Sequence, residues 1–331
     1  MTTLLVAKQY IKHFISKYEV YLKPLLKLIL ALTSLMLING KIGYMHRLDS
    51  ISIVLIAALM CSFMPMIFII VVAAVFTVLH MYALSLECAV VTLVLLLVLF
   101  LLYFRFSPKD TIVVLLTPMS FILGIPYVMP LAMGLLGSPA SAVSVGCGVI
   151  VTFFIRNIAD GSSTFSAMEA EDMASRFRYI IDGFISNKGM ILTIVAFTAT
   201  IIIVYLIRRM SIANAWQIAI ASGILFETIG LIAGYMLLGI SGKTVSVLVG
   251  NVISLLIAFV IQFLFFNLDY SRTERLQFED DEYYYYVKAV PKAVVSGTNK
   301  QVKRFSGKDE KERLTKKRFA EEMDIDEEFL D

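Results

Sequence analysis

The chain alternates long apolar runs with short polar punctuation, and the length of the runs carries the first conclusion. Stretches such as TIVAFTATIIIVYLI and VLLLVLFLLYF contain no charged residue. A bilayer hydrocarbon core is about 30 Å thick, so a helix that crosses it needs about 20 mainly apolar residues. A spanning barrel would instead alternate polar and apolar positions. The pattern predicts an all-α, polytopic transmembrane helix bundle.

Apolar residues recur at helical spacing from the start: Leu4, Ala7, Ile11, Phe14, Ile15, Tyr18 and Leu22 share one face, and Lys12, His13, Ser16, Glu19 and Lys23 surround the other. Residues 1–23 read as an amphipathic interfacial helix on a membrane surface. The first span then runs from Leu25 to Gly43, after Pro24. The stretch Ile51 to Phe104 is too long for one span and divides at Pro65 and near Glu87. Its first piece, 51–64, is short for a crossing, as is 111–124.

These short segments suggest a repeat. Asp49 precedes Pro65 and Asp110 precedes Pro126 by the same spacing, each time across a short apolar helix with two more apolar segments to follow. Units 49–109 and 110–158 are expected to be copies. With three elements each, an odd number, they would be inverted, as in many secondary transporters. Pro126, Pro130 and Pro139, with Gly124, Gly134, Gly137, Gly146 and Gly148, mark the second unit as a place where helices break or approach closely.

Residues 159–188 form an external amphipathic segment, with Ser166 as N-cap and Glu169 three residues on as a capping box. Three last spans fill 189–268: Gly189 to Ile207, Ile212 to Leu238 and Val245 to Asn267. Crossing or re-entry of the short segments sets the count between about 8 and 10. The paired Arg208 and Arg209, together with the N-terminal lysines, place both termini in the cytoplasm by the positive-inside bias, in a multi-pass protein of the cell membrane.

Composition sharpens this picture. The 331 residues are 59% hydrophobic and only 17% charged, which excludes an ordinary soluble domain. The three cysteines, Cys61, Cys88 and Cys147, each lie in an apolar segment without CxxC spacing, and His13, His46 and His80 form no metal-ligand pattern, so neither a metal nor a cofactor is expected. GISGKT, Gly239 to Thr244, ends like a phosphate loop, but Leu237 stands where that motif needs glycine.

One residue stands out inside the membrane. Glu227 lies mid-span in GILFETIGLIAGY, where an ionised carboxylate costs at least about 2.5 kcal/mol on insertion scales. Gly223 and Gly230 are expected on the same face, and Gly230 and Gly234 have GxxxG spacing, so Glu227 faces another helix. Asn251 and Ser254, which share a face of the last span, are its candidate partners. His80 is a further intramembrane candidate, because a histidine titrates near neutrality. These four residues serve either a proton, cation or substrate site or ordinary interhelical hydrogen bonding.

After Asn267 the chain changes character. Residues 269–331 form a charged cytoplasmic tail, in which Tyr283, Tyr284, Tyr285, Tyr286 and Val287 read as a short strand stopped by Pro291. One strand cannot bury a face alone, so it pairs with another strand, with a partner's sheet or across a homo-oligomer, or lies extended. The acidic end with Phe329 and Leu330 reads as a docking motif for a soluble cytoplasmic protein, or as a solvated end. The flanking acids argue against nucleic acid as a partner, leaving the lipid bilayer as the one certain contact.

The functional expectation is a permease or the membrane subunit of a small-solute transport system, with a polar site at Glu227. The alternative is a membrane scaffold or assembly factor that recruits a soluble partner through the tail. No motif recommends an enzyme.

Overall fold

The structure, a computed structural model, describes residues 2–167, 173–210, 212, 214–240, 242–265, 274–279 and 284–289. It separates into a helical unit, Ala7–Asn267, and a second unit of Met1–Val6 with Leu268–Asp331. The helical unit is the expected all-α bundle. Among the described residues, seven of its helices are long and apolar enough to cross a membrane.

Helix α1 (Thr2–Lys17) is followed by α2 (Glu19–Ile42). The break falls at Tyr18 and not at Pro24, which sits inside α2. Pro24 is the sixth residue of α2, past the first turn, so its missing N–H costs one intrahelical bond without ending the helix. The exposed aromatic and aliphatic residues of α1, among them Tyr10, Phe14 and Ile15, fit an interfacial helix.

Helix α2 leads from a first face of the bundle to a second. Helix α3 (Ile51–Phe63) runs back beside it, from the loop where Asn39 Nδ2 donates to the Leu48 carbonyl to Ser62, whose Oγ donates to the Pro24 carbonyl. Helix α4 (Met66–Leu84) returns to the second face, and α5 (Leu86–Phe106) comes back to the first.

The next two helices do not cross. Helix α6 (Thr111–Ile122) rises from the first face alongside α8 (Ser141–Ala167) in the same direction. The Ser107 and Ser144 hydroxyls share a hydrogen bond at the base, Gly148 packs on Thr117 and Pro118, and an Arg156 Nη reaches the Phe121 carbonyl at 3.4 Å near the top. At 12 residues, α6 climbs only about 18 Å. The chain turns through Gly124, whose φ of 77° is a left-handed conformation suited to glycine, and descends as α7 (Val128–Leu136). The result is a re-entrant hairpin.

Helix α7 is only nine residues long, yet Met129, Pro130, Leu131, Met133, Gly134 and Leu135 are all buried. It packs against α10 (Lys188–Arg208), α11 (Ala215–Leu237) and α12 (Thr244–Phe265), as well as α6 and α8. Gly134 lets α7 approach Val204 and the Ile201 carbonyl of α10 closely. Between membrane-embedded helices, packing of this kind replaces the hydrophobic drive available in water.

Each of the two stretches holds three helices, α3–α4–α5 and α6–α7–α8, but they differ in form: the first three each run from face to face, whereas α6 and α7 turn back before α8. Among the described residues, seven helices are long and apolar enough to cross, against the about 8 to 10 spans expected; α3 and α6 are apolar but shorter. The last three spans begin and end within a few residues of expectation.

Between α8 and α10 lies α9 (Met173–Ile185). Its Ile180 is buried with Ile42, Met81, Cys88, Phe154 and Ile158, which seats α9 on the second face. Ser166 is not a cap: α8 stays helical through Ala167 and α9 starts at Met173. Glu169 lies outside the described residues.

The tail unit contains an antiparallel pair, β1 (Glu274–Glu279) and β2 (Tyr284–Ala289), in register from Glu274 opposite Ala289 to Glu279 opposite Tyr284. The tyrosine-rich strand therefore finds its partner in the preceding residues of its own chain. Tyr284, Tyr285, Tyr286 and Val287 belong to β2, whereas Tyr283, Phe329 and Leu330 lie outside the described residues.

Candidate functional site

Helix α11 buries Ala219, Ile220, Gly223, Glu227, Leu231 and Tyr235. From Gly223 onward the spacing is four residues, so a single stripe winds along the helix and carries Glu227 into the bundle. Glu227 has no exposed surface, and neither carboxyl oxygen has a hydrogen-bond partner among the described residues. The expected glycine face is corrected in part. Gly223 meets Val204 and Leu131, and Gly234 meets Leu192, but a Cβ at Gly230 would meet nothing within 4 Å. Glu227 thus faces α7 and α10 through the stripe, not through a GxxxG contact.

Helix α12 buries Val247, Gly250, Asn251, Ser254 and Ala258. Asn251 is 3% exposed, and both its Oδ1 and Nδ2 lack protein partners among the described residues. Ser254 is satisfied within its own helix, its Oγ donating to the Gly250 carbonyl at 2.8 Å. Neither residue hydrogen-bonds Glu227, although α11 and α12 pack together. Two buried polar side chains left open on neighbouring helices are unusual, since buried polar groups are nearly always hydrogen-bonded.

The hairpin tip reaches the same depth. Glu227 lies 12 residues into α11, about 18 Å along its axis, and α6 is itself 12 residues long. Tyr127, just after the hairpin turn, packs its ring on the backbone of Gly250, next to Asn251. Its phenol lies beside Tyr235 and Ser246 and within electrostatic reach of Glu227 and Arg156. The N-terminus of α7, which carries partial positive charge, begins at this point.

Two cations lie above the tip. Partial desolvation and the nearby Arg156 push the Lys243 ammonium below its ordinary range although the residue is exposed, and Lys243 sits 5.6 Å from the Tyr235 ring centroid. Arg156 stacks 5.6 Å from the Phe121 ring centroid. The arrangement can hold a proton on a buried carboxyl, admit an anion from the second face, or bind a small polar group between Tyr127, Glu227 and Asn251.

His80 belongs elsewhere. Its Nδ1 accepts from the Met45 amide at 3.2 Å, which leaves Nε2 to donate to Asn39 Oδ1 at 2.8 Å. Helix α4 packs with α2, α3, α5 and α6, away from α11. The bonds make His80 a clamp that holds the second-face loop 43–50 to α2. Glu87, on the same face, is buried in the first turn of α5 and pairs with Arg176 of α9 at 3.8 Å.

Tyr127, Tyr235 and Arg156 were not identifiable as site residues by composition. Aromatic residues in apolar runs resemble membrane-interface anchors, and only the position of Tyr127 directly after Pro126 in a broken segment singles it out. Among the described residues, no group of three His, Cys, Asp or Glu could hold a metal. The buried thiols Cys61, Cys88 and Cys147 lie on different helices. Comparison with family models, curated proteins and solved structures gives no match.

Proposed function

We propose that the chain is a proton-coupled permease, or the membrane subunit of a transport system, for small solutes, with Glu227 as the proton-carrying carboxyl. The observation that carries this reading is that Glu227 is fully buried on α11 with both carboxyl oxygens unpartnered among the described residues, while on the adjoining α12 Asn251 is equally open next to Gly250, where the hairpin tip packs its Tyr127 ring. Broken helices at membrane depth recur where transporters bind solutes and ions. Arg105, Lys109, Arg208 and Arg209 in or beside the short loops of the first face support a cytoplasmic orientation for that face in a cell membrane.

A scaffold role is the second reading, favoured by the β1–β2 pair, which gives the tail a folded element whose outer strand edges are unpaired among the described residues. Deletion of residues 300–331 separates the readings. In proteoliposomes loaded with a pH dye and given a cell extract cleared of macromolecules, the deletion variant retains solute-dependent proton uptake if the chain is a permease. Absence of uptake with the intact protein, together with tail-dependent crosslinking to one soluble protein, supports the scaffold instead.

A further inference from the structure

A second feature lies on the opposite side of the α6–α7 hairpin from Glu227. Helices α2, α4, α5, α6 and α8 line an open-sided cleft with a cavity volume of about 150 Å³. The lining includes Leu37, Ile70, Leu99, Leu115 and Val151.

The hydroxyls in the wall are already engaged. Thr77 and Thr152 donate to the carbonyls of Ala73 and Gly148 in their own helices, Ser34 donates to Leu30, and Tyr103 donates to Pro108. The wall therefore presents hydrocarbon. Along α8 it extends from Cys147 to Ala159, about 18 Å, or more than half of a bilayer's hydrocarbon thickness.

Charge enters at one end only. Lys41, in the last turn of α2, and Arg156, level with the top of α6, both line the cavity near the second face and are exposed. Neither forms an ion pair with a carboxylate among the described residues. A long apolar slot ending in two cations matches one class of ligand in shape and in charge.

The geometry points to a binding site for an anionic amphiphile: a single acyl chain lies in the slot, and its carboxylate or phosphate head is held by Lys41 and Arg156. The shared chemistry covers a fatty acid and a lysophosphatidate. Arg156 is common to this cavity and to the surroundings of Tyr127, but nothing in this site requires Glu227.

The test uses full-length protein in nanodiscs and a long-chain fatty acid with a diazirine at its chain end. The label goes to lining peptides of α5, α6 and α8, and lysophosphatidate or unlabelled fatty acid displaces it about tenfold or more better than monoacylglycerol of the same chain, as two cations near a head group imply. The stronger of the two anions identifies the head group. Lys41→Gln with Arg156→Gln removes that preference, Ala74→Phe lowers labelling by filling the slot, and Glu227→Gln labels as the unaltered protein does. Equal displacement by monoacylglycerol, a preference that survives the double substitution, or label confined to outward residues such as Leu97 and Leu101 overturns the proposal. The two cation variants alter exposed residues, so they decide the matter even if Ala74→Phe does not fold.

Discussion

Arg208, the last residue of α10, donates from its guanidinium to the carbonyl of Leu135 in the last turn of α7 and reaches the Gly137 carbonyl at 3.5 Å. The final carbonyls of a helix lack intrahelical partners and carry partial negative charge, so a cation there answers both needs. A basic pair first legible as a topological marker is, in its first member, the cap that pins the base of the re-entrant hairpin.

Arg208→Ala is therefore expected to lower thermal stability in detergent by about 2 kcal/mol, the range for a lost charge-assisted hydrogen bond. Arg208→Lys should recover only part of it, because an ammonium cannot reproduce the fork that reaches two carbonyls. A neutral result for both variants in a thermal unfolding series would show that the hairpin base needs no cap.

Glu227 gives the opposite sign. An unpartnered buried carboxyl does not contribute to folding, and replacing such a group by an apolar one of similar shape is neutral or stabilising. Glu227→Met should unfold at the same temperature as the unaltered protein or higher, and lose solute-dependent proton uptake. Loss of stability by more than about 1 kcal/mol would mark Glu227 as a structural hydrogen-bonding residue instead.

The two glycines nearest this site behave differently. A Cβ at Gly250 would strike the Tyr127 ring, so Gly250→Ala displaces the hairpin tip and should impair transport. Gly230→Ala meets nothing within 4 Å and gains helix propensity, with an expected stabilisation of up to about 1 kcal/mol and unchanged uptake.

His80→Leu strands Asn39 Oδ1 and the Met45 amide in a buried setting. The expected cost is about 2 kcal/mol, and Asn39→Ala should cost a similar amount, with the double variant far less than additive. Protein that still folds should transport normally. A transport defect in folded His80→Leu protein would return His80 to the functional site.

The helical class and the burial of Glu227 were legible because hydropathy and the cost of a buried charge act locally. The hairpin was only half legible. Pro126 and Gly124 announced a break, but residues 111–136 have the same apolar character whether they cross or turn back, and packing against α10, α11 and α12 decides which. Gly230 misled because GxxxG spacing states that an approach is allowed, not that a helix makes it. Lys41 and Arg156 are far apart in the chain, and their shared cavity depends on contacts between distant helices.

The most direct measurement is solute-dependent proton uptake by proteoliposomes under an imposed pH gradient, with intact protein and Glu227→Gln compared at equal incorporation. The site built from Glu227, Asn251 and Tyr127 predicts uptake above protein-free vesicles for the intact chain and none above them for Glu227→Gln. Equal uptake by the two proteins would contradict it.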